Sequence, residues 1–97
     1  MLRFSWDRRK SERNLQRRGI SFESASLVFD DPNLCIFEDR TLGGEERIHV
    51  LGEIPVVGLL LVVALYEISE DETEEHVRII SARLATRAEA VSYYERL

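Results

Sequence analysis

The fold of this chain is organised around the segment His76-Val77-Arg78-Ile79-Ile80-Ser81-Ala82-Arg83. Its β-branched residues Val77, Ile79 and Ile80 predict a strand. The apolar run 58–66 predicts the hairpin partner of that strand and, because it lacks alternation, a central position in a sheet. An unpaired buried guanidinium is very costly, so arginines in such a strand either lie along a wet face or meet anions. The centre of the fold is therefore also the first place to look for chemistry.

Two helices are predicted before the sheet. Asp7 is a suitable N-cap for a helix over 8–18, and Gly19 can adopt the left-handed conformation that ends it. Ser21 is the N-cap expected for a second helix over 22–30, whose phenylalanines and alanine recur at helical spacing. The first helix carries little apolar surface, so most of it is expected to face solvent or a partner.

Further strands are predicted on both sides of these helices. The short apolar segment 2–6 is expected to form an edge strand, and strands follow at 34–38 and 46–51. Turns are predicted at 41–44 and 52–58, where glycines and a proline cluster. In the strand at 46–51, alternation predicts that Arg47, His49 and Leu51 share one face and Ile48 and Val50 the other.

The chain ends with a predicted helix over 87–96. Thr86 and Glu89 have the spacing of a capping box, in which each side chain bonds the other's backbone amide. The packing stripe of this helix is predicted to be Ala90, Val91, Tyr94 and Leu97. The expected fold is a single α+β domain over residues 1–97, with two N-terminal helices, a mostly antiparallel sheet of about four strands and one C-terminal helix.

Composition excludes several classes of protein. The longest apolar run, 54–65, is broken by Pro55 and Gly58 and is shorter than the roughly 20 residues of a membrane span, so no membrane association is expected. Charged residues begin at Arg3, too early for a signal peptide, which indicates a cytoplasmic location. The single Cys35 and the scattered histidines have no metal-ligand spacing, so neither a metal nor another cofactor is expected.

The charge of the chain is strongly polarised. Residues 1–18 hold seven basic and two acidic groups, a net charge of +5. Because the whole chain has a net charge of −5, residues 19–97 carry −10. The acidic run 70–75 is expected to be a solvated hairpin loop. Arginine outnumbers lysine twelve to one, and its rigid fork matches phosphate oxygens. A concentration of arginine on a small sheet indicates binding or cleavage of a phosphodiester.

Several motifs, in order along nearly the whole chain, carry a resemblance to a known family: Phe4-Ser5-Trp6-Asp7, Gly19-Ile20-Ser21-Phe22-Glu23, Val28-Phe29-Asp30-Asp31-Pro32, Gly44-Glu45-Glu46-Arg47 and Arg78-Ile79-Ile80-Ser81-Ala82-Arg83. Together they resemble the BrnT toxins. The resemblance implies a RelE-like fold and a small endoribonuclease, independent of metal and ribosome, as the toxin of a type II toxin–antitoxin pair. It also implies a BrnA-like antitoxin as partner, with a DNA operator reached only through that antitoxin.

The chain departs from the family pattern at two positions. Family members commonly carry Lys-His before the glycine, where this chain has Arg17-Arg18 before Gly19. They also commonly carry a lysine after the Ser-Ala-Arg motif, where this chain has Leu84. A possible proton-transfer group and a positive charge are therefore missing.

RNA carries its own nucleophile, the 2′-hydroxyl, so cleavage needs a base, an acid and positive charge around the reacting phosphate. Arg78 and Arg83 are predicted to stabilise the transition state, with Lys10 and Arg47 as further phosphate contacts. The alternative is that Arg78 extends from the sheet into solvent and that Arg83 bonds the ends of a helix or strand. RNA binding is predicted for Arg9, Lys10, Arg13, Arg17, Arg18 and Arg47.

The proton-transfer groups have several candidates. Histidine suits this role near neutral pH, which favours His49 or His76, although a lone strand histidine is more often a surface residue. Tyr93 or Tyr94 can donate a proton if neighbouring arginines lower its pKa, and Glu46 can act as a base. The alternative to catalysis is a binding protein, or a co-repressor acting with its antitoxin, that docks an acidic partner segment on the same basic surface.

Overall fold

The computed structural model describes residues 2–42 and 45–97, with side chains at all of these positions except 38–42 and 45. Within that part of the chain, the elements follow in this order: β1 Leu2–Trp6, α1 Arg8–Arg18, α2 Phe22–Ala25, a 3-10 helix Ser26–Asp30, β2 Cys35–Leu42, β3 Glu45–Ile54, β4 Gly58–Ile68, β5 Glu75–Leu84 and α3 Arg87–Glu95. The predicted turn at 41–44 falls partly on residues 43 and 44, which lie outside the described residues. No helix of the described chain is long and apolar enough to span a membrane.

The sheet of the described chain has five strands in the order β1-β5-β4-β3-β2. β1 runs parallel to β5, and the other neighbouring pairs are antiparallel. The α+β class and the edge position of 2–6 are therefore confirmed, but the expected sheet of about four strands is corrected to a mixed sheet of five. The parallel pairing joins Leu2 to Glu75, and no local pattern encodes a pairing over such a distance in sequence.

Local helix signals in the sequence are confirmed. The Asp7 carboxylate accepts from the amides of Arg9 and Lys10 at 2.9 and 3.1 Å, and Gly19 ends α1 with φ 74°. The Ser21 hydroxyl accepts from the Ser24 amide and opens α2, which tightens into the 3-10 helix instead of continuing as one α-helix. Short polar side chains that satisfy free amides thus fix where α1 and α2 begin.

The helices before the sheet cover one of its faces, called here the helix-covered face. Phe22 and Val28 pack there against Val50, Leu60 and Ile79, and all five are almost completely buried. The remaining buried members of this core are Ile20, Ala25, Ile48, Ile54, Val62, Ala64, Val77 and Ala82. The predicted central position of the apolar run is confirmed, because β4 lies in the middle of the sheet.

Gly52 lies inside β3, not in the turn that was predicted to begin there. A Cβ atom at this position would lie 2.8 Å from the Cβ and 2.9 Å from the carbonyl oxygen of Val28. The glycine therefore lets the 3-10 helix approach the sheet more closely than any other residue would permit. The turn itself is shorter than predicted and contains Val56 with φ 74°.

α1 is held by polar contacts more than by apolar ones. The Asn14 side-chain amide donates to the carbonyl oxygens of Ile20 at 2.7 Å and Ala82 at 2.9 Å. The buried Ser11 hydroxyl accepts from the Phe22 amide at 2.9 Å, whereas Leu15 remains half exposed. Since β1 pairs with β5 only as far as Ile79, the bond to Ala82 shows that α1 takes over the edge of β5 where β1 has ended.

The opposite face of the sheet is covered at one end only. α3 packs Tyr93 against Leu51, Leu59 and Leu61, with Ala90 partly buried beside them. The predicted packing stripe of α3 is wrong except at Ala90, because the exposed members are Val91 at 48%, Tyr94 at 48% and Leu97 at 64%. Two overlapping stripes are possible on this helix, and its docking on β3 and β4 selects the one that contains Tyr93.

Candidate functional site

The uncovered end of this second face carries a row of cross-strand neighbours. Arg47 of β3 and Arg78 of β5 both lie directly opposite Leu65 of β4, one on each side. Directly opposed residues share a face of the sheet, and both arginine side chains are exposed. The structure therefore brings together two predicted site residues that are 31 positions apart in sequence. This surface is called here the open face.

The two histidines lie on the open face at the diagonals of the same row. His49 is two residues beyond Arg47 on β3, and His76 is two residues before Arg78 on β5. Diagonal neighbours on adjacent antiparallel strands lie about 7–8 Å apart and remain within reach of ring-containing side chains. β3 and β5 run in the same direction, because both are antiparallel to β4. His49 comes after Arg47 and His76 comes before Arg78, so the two histidines lie on opposite sides of Leu65.

His76 is held in place by Ser5 of β1. The Ser5 hydroxyl oxygen lies 2.7 Å from His76 Nε2, and among the described residues Ser5 is the hydrogen-bond partner of the ring. In the tautomer that donates from Nε2 to Ser5, Nδ1 keeps a lone pair that can accept a proton. The contact depends on the parallel pairing of β1 with β5, which opposes Ser5 to Arg78.

A shallow depression adjoins this pair and is lined by Leu65, Glu67, His76 and Arg78. Glu67 lies directly opposite His76, so a carboxylate also faces the depression. At the outer edge of the sheet, Arg3 and Glu74 form an exposed salt bridge of 3.4 Å. The depression thus combines an imidazole, a guanidinium and a carboxylate on an apolar floor.

Asp7 links the open face to α1. The backbone amide of Lys10 lowers the pKa of the Asp7 carboxyl, burial opposes this, and the Arg9 amide and the charges of Lys10 and Arg78 lower the pKa further. Arg78 is thus close enough for its charge to act on the N-cap of α1. Asp7 has the capping role that the sequence predicted for it.

Arg83 faces the same side of the sheet, where it is opposite Leu61 and lies near α3. Both of its terminal nitrogens bond the Glu89 carboxylate, at 2.7 and 3.0 Å. That ion pair raises the pKa of Arg83 and, against the effect of burial, lowers the pKa of Glu89 to about 2. Arg83 therefore makes the contact with a helix end that the sequence analysis gave as the alternative to catalysis. Its catalytic role stays a prediction.

Glu46 and Tyr94 are not brought to the arginine row. Glu46 lies opposite Tyr66, which packs against the core on the helix-covered face, so Glu46 and Arg47 point to different faces. The Tyr94 hydroxyl donates to the Glu53 carboxylate, and this bond raises its pKa, the opposite of the direction that proton donation required. The catalytic roles of both residues stay predictions.

The predicted RNA-binding cations divide between two surfaces. Arg47 is on the open face, and the others are on α1. Four of those, Lys10, Arg13, Arg17 and Arg18, line a groove between α1 and the edge of β5 together with Asn14, Phe22 and Ile80. Arg9 is exposed on the same helix outside the lining of this groove.

Sequence reasoning missed Ser5 and Glu67 as members of the site. The available signal for Ser5 was its place between Phe4 and Trp6, an alternation that turns it to the face opposite the core. The parallel register of β1 and β5 that brings Ser5 to His76 has no such signal. In the described part of the chain, no group of three or more His, Cys, Asp or Glu side chains is arranged to hold a metal ion.

A family model described as a ribonuclease toxin, BrnT, of a type II toxin–antitoxin system matches residues 6–89. The matched span extends from the end of β1 to the capping-box residue of α3 and includes the arginine row, both histidines and the α1 groove. The match confirms the resemblance that the sequence motifs indicated. Among curated proteins, none matches the chain.

Proposed function

The chain belongs to the BrnT family of ribonuclease toxins of type II toxin–antitoxin systems, and from this premise we propose that it is an endoribonuclease that cleaves RNA without a metal ion. In this proposal the 2′-hydroxyl of one nucleotide attacks its own 3′-phosphate. The observation that carries the proposal is the row in which Arg47 and Arg78 flank Leu65, with His49 and His76 at its two diagonals.

The arginines act on the phosphate. A phosphate lying over Leu65 meets a guanidinium from each side, and the two forks neutralise the charge that builds up on the non-bridging oxygens. Donors that are fixed in place before the reaction stabilise the transition state without reorganisation. The sheet fixes the backbone positions from which both side chains start, because β3 and β5 are each paired with β4.

The histidines move the protons. One imidazole takes the proton of the 2′-hydroxyl as the O2′–P bond forms, and the other gives a proton to the 5′-oxygen as the P–O5′ bond breaks. Attack and departure occur on opposite sides of phosphorus, which suits the placement of His49 and His76 on opposite sides of Leu65. The products are a 2′,3′-cyclic phosphate and a free 5′-hydroxyl, so atoms and charges balance without a covalent enzyme intermediate.

A type II system includes an antitoxin, and we propose a BrnA-like protein that covers the open face and carries the pair to its DNA operator. Phe37 lies opposite His49 on β3, and its side chain is 48% exposed. This aromatic residue and the two arginines lie on the same face of the sheet, where the ring offers a partner segment an apolar anchor and the arginines offer counter-charge. RNA would then be excluded by occupation of the same surface.

The test is cleavage of labelled RNA by the purified chain in excess EDTA, followed by analysis of the product ends. Cleavage that persists and leaves 2′,3′-cyclic phosphates supports the proposal. A strict need for Mg²⁺, or products with 5′-phosphates, contradicts the mechanism. Binding of RNA without any cleavage favours the alternative of a non-catalytic binding protein or co-repressor.

A further inference from the structure

The groove between α1 and the edge of β5 concentrates four cations. Lys10, Arg13, Arg17 and Arg18 line it, and no carboxylate does. Among the described residues, none of these four cations forms a salt bridge, whereas three other arginines are paired with glutamates: Arg3 with Glu74, Arg8 with Glu12 and Arg83 with Glu89. Arg13 and Arg17 are four positions apart on one helix, a spacing at which like charges repel. An anion bound between Arg13 and Arg17 would relieve this repulsion.

The walls of the groove are rigid. Asn14, which also lines it, is bonded to the carbonyl oxygens of Ile20 and Ala82. The floor includes Phe22, which is almost fully buried and whose amide is bonded to Ser11. Ile80 completes the lining, and it is the extra residue of the β-bulge that shifts the pairing of β5 with β4. The cations are thus presented from a fixed support, which lowers the entropy cost of binding.

The groove lies next to the arginine row. Ile80 is two residues beyond Arg78 on β5, a rise of roughly 7 Å along the strand. β1 ends opposite Ile79, so the edge of β5 is no longer covered by a strand where the groove begins. A nucleic acid strand with its scissile phosphate at Arg78 therefore meets the groove as it passes around the edge of the sheet.

We propose that this groove is a second binding site for the phosphate backbone of the same RNA strand, away from the cleaved bond. The inference deepens the proposed function and rests on it for the identity of the substrate. The groove has a volume of about 210 Å³. Small-molecule pockets are larger, about 300–1,000 Å³, so an extended chain that lies across the groove is favoured over an enclosed ligand. A protein segment would find little apolar surface, because Phe22 is buried and the rim is cationic.

Two consequences follow for the substrate. A long single strand occupies both surfaces and binds more tightly than a dinucleotide, which reaches the arginine row alone. The contacts in the groove are to phosphates, so their contribution is independent of base sequence and decreases with salt. The groove therefore sets the length of RNA that is cleaved efficiently, and the open face sets where the bond is cut.

The test compares two charge-matched double variants. Arg13→Gln/Arg17→Gln removes two cations from the groove, whereas Arg8→Gln/Arg87→Gln removes two exposed arginines elsewhere. Glutamine and arginine have similar helix propensities, and thermal unfolding checks that both variants fold. Binding is measured on a long single-stranded 2′-O-methyl RNA, which has no free nucleophile and stays intact whether or not the chain is a nuclease.

The groove variant is expected to bind severalfold more weakly, and its slope of log affinity against log salt is expected to be about 1.4 units shallower, for two lost phosphate contacts. The control double variant should retain the wild-type slope, and Arg13→Lys/Arg17→Lys should retain most of the affinity because the charge is kept. Equal slopes in the two Gln doubles, or wild-type protein that does not bind this RNA, would overturn the inference. So would a groove variant that loses antitoxin binding while its RNA binding is unchanged.

Failure of the proposed function has a different signature. A chain that binds 2′-O-methyl RNA through the groove but leaves ordinary RNA uncut refutes the nuclease mechanism and upholds the groove. On a cleavable substrate, the groove variant should lose activity on long RNA and keep wild-type activity on a dinucleotide. An equal loss on both substrates would contradict a site away from the cleaved bond.

Discussion

The guanidinium of Arg83 and the carboxylate of Glu89 form a two-pronged ion pair between β5 and the first turn of α3, with distances of 2.7 and 3.0 Å. The same carboxylate accepts from the Thr86 amide at 2.8 Å, so one side chain closes the capping box and ties the helix to the sheet. α3 buries little besides Tyr93, and this ion pair is therefore a main determinant of where it docks.

Replacing Glu89 by glutamine should destabilise the protein in a pH-dependent way. The ion pair and the amide bond hold the pKa of Glu89 at about 2 in the folded chain, below its ordinary value of 4.5. Its contribution is therefore fully present above about pH 5 and is lost as the pH falls towards 2. Because both side chains are partly solvent-exposed, we expect a cost of about 1–2 kcal/mol near neutral pH.

Urea unfolding of Glu89→Gln and wild type, at about pH 7 and about pH 2.5, measures this difference. Glu95→Gln, an exposed glutamate on the same helix, is the control and should match wild type at both pH values. A difference for Glu89→Gln that is the same at both pH values would show that the carboxylate charge is not what stabilises α3.

The sequence predicted those features that short local patterns encode. The caps at Asp7, Ser21 and Thr86 need only a few neighbouring residues, and all three are observed. Alternation in β3 likewise placed Arg47 and His49 on one face, and the same alternation argues against Glu46 as their partner. The features that the sequence did not predict depend on the register of strands that are distant in sequence. The contact of Ser5 with His76, across 71 positions, is one of them.

The choice between Tyr93 and Tyr94 shows the same limit. Both tyrosines fit an apolar stripe, and only the docking of α3 decides which is buried. Tyr93 is buried, and its hydroxyl donates to the Asp31 carboxylate at the end of the 3-10 helix. Burial and this bond both raise the pKa of Tyr93. The packing partner of a helix is thus a tertiary property that helical periodicity alone leaves undetermined.

Gly52→Ala should destabilise the protein by about 1–3 kcal/mol, because the new methyl group would lie within 3 Å of the Cβ and carbonyl of Val28. These atoms belong to a fully buried residue and its backbone, so neither can move away cheaply. The free energy of unfolding measured in urea tests this expectation. The control is Ser92→Ala on the exposed side of α3, which should change stability by less than about 0.5 kcal/mol. A neutral Gly52→Ala would mean that the 3-10 helix can shift outward.

Arg78→Ala should reduce RNA cleavage by about a hundredfold or more, because it removes a donor aimed at the charge of the transition state. The side chain is exposed, so stability should change by less than about 0.5 kcal/mol. Single-turnover rates at saturating enzyme separate this effect from weaker binding. Arg87→Ala, at the start of α3, is the matched arginine control. A folded Arg78→Ala protein that cleaves RNA at the wild-type rate would show that Arg78 does not stabilise the transition state.

Variants of His76 and Ser5 test whether His76, hydrogen-bonded to Ser5, transfers a proton during RNA cleavage. Loss of a general acid or base typically costs about 10²–10⁴ in rate, so His76→Gln should lose that much and one limb of the pH–rate profile with it. The Ser5 hydroxyl hydrogen-bonds the His76 ring and would act on the reaction only through it, so Ser5 is a positioning residue. Ser5→Ala should therefore lower kcat, leave KM near wild type and displace the same limb, and Ser5→Thr should restore it because the hydroxyl is retained.

The pH profile distinguishes this role from a structural one. If Ser5 merely joined β1 to β5, Ser5→Ala would lower the free energy of unfolding and leave the shape of the pH–rate profile unchanged. His49→Gln provides the counterpart on the other side of Leu65 and should remove the opposite limb. Loss of the same limb in both histidine variants would contradict the assignment of acid and base to the two diagonals of the arginine row.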